Sequence, residues 1–208
     1  MNKRNMFMIN LTDRIQMSVF SGIALIFFAL GQGITYSLVF ILAATLHELS
    51  HILLLHRFGA RINKVSIYPF GIDIHSDTSR LSYKKELICT LSGSGANLVV
   101  AVLGFMFLQI SPHKHLLFFV LCNVFLGTIN LIPLSFFDGG KALRLVLYDG
   151  LDIDRAFYVC RFLDIFSALL FLVFSLFVMF FSDFNFSVCA VILYASISTL
   201  ALRKNQVV

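Results

Sequence analysis

The stretch ATLHELSHILLLHRF, residues 43–57, places His47, Glu48 and His51 inside a largely apolar run. An ionisable side chain at the centre of a bilayer costs about 2.5–3.5 kcal/mol or more, so such a group marks function by default. Whether the run lies in a membrane is decided by the rest of the chain.

Of 208 residues, 59% are hydrophobic and only 13% charged, with 24 Phe and a mean hydropathy of +0.90. A soluble domain is about 25% charged, because polar groups must cover its surface. This chain cannot cover itself in that way, and its composition is that of an integral membrane protein. The net charge of +5 calls for no nucleic-acid partner; what matters is where the basic residues fall.

Apolar runs of about 20 residues, enough to cross roughly 30 Å of hydrocarbon, predict six spans. They fall near 15–32, 34–56, 86–109, 115–134, 162–182 and 186–202. The first has no small-residue cleavage site after it and is read as a retained span rather than a signal peptide. With both termini in the cytoplasm, every Lys and Arg except Lys114 falls inside, as expected of residues that resist translocation. The chain is thus expected to be one all-α, polytopic transmembrane domain, 1–208, with both termini in the cytoplasm. Cys89, Cys122, Cys160 and Cys189 lie in or beside different spans without CxxC spacing, and read as small packing residues.

His47 and His51 are four residues apart and share one helix face, which suits two zinc ligands. Glu48, one position along, can reach a metal-associated water. A catalytic zinc site needs a third protein ligand and an open position. His56 sits at the polar end of the span, His75 in a basic loop, and His113 and His115 on the opposite side of the membrane. The better candidate is Asp138 in NLIPLSFFDGGKALR, 130–144, where Pro133, Gly139 and Gly140 break the span beside the carboxylate. A solvated residue at a helix start is the alternative for Asp138 alone.

Depth favours the ligand. His47 lies some eight residues from the cytoplasmic end of its span, about 12 Å at 1.5 Å per residue. The fourth span delivers Asp138 to the same face, and LSGSGANL (91–98) begins the third there. Gly93, Gly95 and Ala96 are small enough for close helix approach, and Asn97 offers a buried amide. These spans make a three-helix catalytic core.

HELSH at 47–51, Ser92-Gly93 with Asn97, and Asn130-x-x-Pro133 followed by Asp138-Gly139-Gly140 resemble the site-2 intramembrane metalloproteases. The layout is most similar to the stage IV sporulation protein FB branch, bacterial proteases that release a sporulation sigma factor. The resemblance implies one zinc per chain held by His47, His51 and Asp138, with Glu48 as catalytic acid/base. It also implies a membrane-associated protein substrate, with a membrane inhibitor or activator as partner, and, in a sporulating cell, a membrane around the forespore. Ser135 and Phe136 stand where the family often carries proline, and no nucleotide-sensing CBS domain is expected after residue 203.

In such a site zinc activates water and polarises the scissile carbonyl, and Glu48 relays the proton to the leaving amine. Asn130 either donates to the substrate or oxyanion, or joins helices. Residues 62–75 read as a short amphipathic β-hairpin after the second span, or as a loop resting on the membrane; a substrate strand could pair with the hairpin's edge. A zinc or proton transporter, or a silent zinc scaffold, are the rivals. A transport path needs polar groups in both leaflets, whereas the outer halves here are apolar, and a scaffold has no need of Glu48.

Overall fold

The structure, a computed structural model, describes residues 8–10, 12, 15–18, 33–68, 71–134 and 137–181. Its elements are strands β1 (Met8–Asn10) and β2 (Ile15–Ser18), helix α1 (Ile34–Arg57), strands β3 (Arg61–Tyr68) and β4 (Gly71–Asp77), and helices α2 (Tyr83–Ile110), α3 (Lys114–Ile129), α4 (Asp138–Gly150) and α5 (Ile153–Phe181).

Up to Thr128, α1 and α2 match the second and third expected spans to within a few residues. At 24 and 28 residues both are long and apolar enough to cross a membrane. Their patterning is inside out. On α1 the buried face is Ser37, Ala43, His47, His51 and Leu55, while Leu38, Leu42, Leu49 and Leu53 point outward. On α2 the buried face is Cys89, Gly93, Ser94, Asn97 and Ala101, and Val99, Val102, Phe105 and Met106 are exposed. A helix in water buries its apolar stripe; these bury small and polar residues and present Leu, Val and Phe, as helices solvated by lipid do.

Helix α1 ends where the sequence lets it. Gly59 adopts φ +83°, a left-handed conformation that costs glycine little. The Ala60 and Gly59 N–H groups donate to the Leu55 and His56 carbonyls at 2.9 and 3.0 Å, which is the Schellman pairing. The chain then turns directly into β3. Leu55, Ala60 and Cys89 form a small buried cluster, with Leu54, Phe58, Ile62, Ile74 and Leu81 packed on it, tying the sheet to the adjoining ends of α1 and α2.

The sheet corrects two expectations. The 62–75 hairpin exists as antiparallel β3 and β4, but it is half of a four-stranded sheet ordered β1-β2-β3-β4. Strand β2 pairs parallel with β3, Ile15 opposite Val65, so the fold is mostly helical rather than all-α. The span expected over 15–32 therefore does not begin at Ile15: residues 15–18 are strand. Alternating Ile15, Met17 and intervening polar residues suit a strand as well as a helix end, and only the partner β3 decides between them. Residues 19–32 and the sixth span at 186–202 lie outside the described residues. Six spans are thus not established.

The fourth expected span, 115–134, is helical only to Ile129 as α3. From Ile129 on, the backbone turns. Ile132 N–H donates to Ile129 O, Leu134 N–H to Ile132 O and Phe137 N–H to Leu134 O, short-range bonds that satisfy the backbone where helical ones stop. Helix α4 follows. Helix α5 begins at Ile153, nine residues before the span expected at 162–182. Arg144 on α4 donates to Asp164 on α5 at 3.2 Å, with the Asp164 side chain only 5% exposed. This ion pair links the two helices.

Candidate metal centre

His47 and His51 are both buried, with ring centroids 4.9 Å apart. Their Nε2 atoms converge to 3.3 Å. Two nitrogens held about 2.0–2.1 Å from a tetrahedral ion are separated by about 3.3–3.4 Å, so the pair already has the spacing that a shared zinc requires. His51 Nδ1 donates to the Cys89 carbonyl at 2.8 Å, which fixes a face of α1 against a face of α2.

The rings meet α2 at Gly93. A Cβ on that residue would press on His51 Nε2 and lie 2.6 Å from His47 Nε2; glycine is the only residue that leaves the space. Gly95, expected to serve the same approach, has nothing within 4 Å of its Cβ position. It lies on the exposed side of the helix, two residues and about 200° round from Gly93. Asn97, one turn beyond Gly93 on the same face, is fully buried as expected.

Asp138 is the first residue of α4 and is buried. A carboxylate in the first turn is favoured by the helix dipole, and Lys141 pairs with it at 3.3 Å. The break that delivers Asp138 depends on Gly139. Its N–H donates to the Asn130 carbonyl at 2.6 Å, and a Cβ there would lie 2.8 Å from Leu131 Cα and closer still to the Leu131 carbonyl. Pro133 and Gly139 are thus the reasons this turn forms, as their residue types suggest. Asn130 sits in the turn half-buried, with its backbone carbonyl engaged as described.

His47 and His51 on α1 and Asp138 on α4 are each buried. Two imidazoles and a carboxylate are a donor set for zinc that leaves a position open, and the residues fit the metal. Glu48 is half-buried on α1 beside the pair. The other histidines lie elsewhere. His56 is exposed at the end of α1 and His75 on β4, while His115 packs against Tyr36 and His113. The sequence reading named Ser92 only as part of a motif, and anticipated neither the Cys89 carbonyl nor the contact of Ser92, whose Oγ lies 3.2 Å from His51 Nδ1. The signal was Cys89, Gly93, Asn97 and Ala101 at four-residue spacing, a stripe of small and polar residues down one face of α2.

The arrangement has the fold of the site-2 proteases. Site-2 protease from Methanocaldococcus jannaschii superposes with a TM-score of 0.70 at 20% identity, covering 93% of each chain. Two curated proteins are similar in sequence, each at 28% identity over 57% of this chain: a zinc metalloprotease of Methanocaldococcus jannaschii and stage IV sporulation protein FB of Bacillus subtilis. The matches span 37% and 42% of those relatives' own lengths. No family profile matches the chain. Fold and relatives together support the resemblance read from the motifs, to the site-2 protease family and its stage IV sporulation protein FB-like branch.

Proposed function

We propose that the chain is an intramembrane zinc endopeptidase that hydrolyses a peptide bond of a membrane-associated protein near the cytoplasmic face. The observation that carries this is the 3.3 Å convergence of two buried imidazole nitrogens beside a glutamate that a metal site alone does not need. His47, His51 and Asp138 would hold zinc, which when bound would supply the Lewis acidity that polarises a scissile carbonyl and makes water a competent nucleophile. Glu48 takes the proton of the attacking water and returns it to the leaving amine. Asn130 holds the substrate backbone or the developing oxyanion through its side-chain amide. Gly93 and the Cys89 carbonyl keep the two imidazoles in place.

A transmembrane helix must unwind before its peptide bonds can be cut, because a helical amide is screened by its own turns. Strand β4 ends the described sheet on one side, and its backbone can pair with an extended substrate segment. Strand β3 cannot serve, being paired on both sides. The likeness to stage IV sporulation protein FB suggests a pro-sigma factor or another regulatory protein as substrate, and a membrane protein as inhibitor or activator.

Metal analysis of purified protein tests the centre. About one zinc per chain is expected, and none in a His47→Ala, His51→Ala double variant; undiminished zinc in that variant would defeat the assignment. Asp138→Asn is expected to weaken zinc binding, since a neutral amide oxygen is a poorer ligand than a carboxylate.

Orientation is tested separately. The basic residues of 57–85 stand against a lone Lys114 beyond α2, so both termini and the β3–β4 segment are expected in the cytoplasm. Single cysteines introduced near residues 64 and 114 should label from opposite sides. Labelling of both from one side would overturn the topology.

A further inference from the structure

We propose that Ser92 is a positioning residue for the metal centre: with the Cys89 carbonyl, it holds His51 in the tautomer that carries its proton on Nδ1 and leaves Nε2 free to bind metal. The inference rests on the metal-centre reading above and concerns which groups make His51 a ligand.

The protons can be assigned from chemistry. A carbonyl oxygen only accepts, so the 2.8 Å contact between His51 Nδ1 and Cys89 O is a hydrogen bond only if Nδ1 carries the hydrogen. The Ser92 hydroxyl lies 2.7 Å from the same oxygen and donates its proton there. Its lone pairs are then left to face His51 Nδ1–H, 3.2 Å away. One arrangement of protons satisfies all three contacts. The other tautomer sets the Nδ1 lone pair against a carbonyl lone pair and loses the bond in a buried place, where it is worth most.

With Nδ1 occupied, the basic nitrogen of His51 is Nε2, the atom that faces His47 Nε2 at 3.3 Å across the space left by Gly93. Groups that orient a ligating histidine through its second nitrogen typically change metal affinity by about 10–100-fold when removed. The bland alternative is that Ser92 merely bonds back to its own helix, as serines in apolar helices do. That accounts for the bond to Cys89 O, three residues earlier, but gives the hydroxyl no effect on zinc.

Threonine and valine at position 92 separate the two, being nearly the same shape and differing in the hydroxyl. Zinc affinity is measured by competition with a chelator, and ligand geometry by the visible absorption of the cobalt-loaded protein. Ser92→Thr should match the wild type in both. Ser92→Val should bind zinc about 10-fold or more weakly and show an altered cobalt spectrum, and Ser92→Ala should follow Val. Equal affinity and equal spectra in the Thr and Val variants, with zinc present in the wild type, overturn this inference alone. A wild type that holds no zinc overturns the metal centre and this inference with it.

Discussion

Glu48→Gln is expected to abolish cleavage while leaving zinc content and fold unchanged. Glutamine has almost the same size and still hydrogen-bonds, so the half-buried position on α1 stays filled. What it cannot do is take a proton from the attacking water and pass it to the leaving amine. General acid–base catalysis contributes typically about 10²–10⁴-fold, and with the nucleophile no longer deprotonated a slow reaction falls below detection. Zinc should be retained because Glu48 is not one of the three residues assigned as its ligands. Measuring zinc and cleavage on one preparation separates the roles: Glu48→Gln loses only cleavage, Asp138→Asn loses metal first. Normal cleavage by Glu48→Gln would return the transporter or silent scaffold as the better account.

Gly93→Ala is expected to empty the metal centre. The added methyl would lie 2.6 Å from His47 Nε2 and 2.7 Å from His47 Cε1, where an unstrained carbon contact needs about 3.5–4.0 Å. One ring or one helix must therefore shift by about 1 Å. Metal–ligand distances tolerate only about ±0.2 Å, so the two nitrogens can no longer share an ion. The cost to the fold is smaller, about 1–3 kcal/mol for overpacking, so the variant should accumulate in the membrane with little zinc and no activity. Gly95→Ala is the control. Two residues along the same helix, with nothing within 4 Å of the new methyl, it should retain zinc and gain up to about 1 kcal/mol of helix propensity. Wild-type zinc content in Gly93→Ala would show that the imidazoles do not rest on this glycine.

Much of the centre is legible in the chain because its rules are local. An i, i+4 pair of histidines shares a helix face in any α-helix, so HELSH carries its own geometry. The cost of burying ionisable groups in an apolar run then says that the geometry has a use. Asp138 could be singled out in the same way, as the lone acid beside Pro133, Gly139 and Gly140 at the end of an apolar run. The apolar lengths of α1 and α2 follow from bilayer thickness and needed no partner to be read.

Other features depend on residues distant in sequence, and only the tertiary structure decided them. Ile15–Ser18 is strand because β3, some fifty residues later, supplies backbone partners; alone, the segment suits the start of an apolar helix equally well. Gly93 and Gly95 are alike in the sequence, yet one underlies the imidazoles and the other faces outward, a difference set by how α2 is rotated against α1. The proton on His51 belongs to this second kind as well. It is placed by a backbone carbonyl and a serine hydroxyl on another helix, 38 and 41 residues away, and a backbone carbonyl, common to every residue, leaves no mark in a sequence.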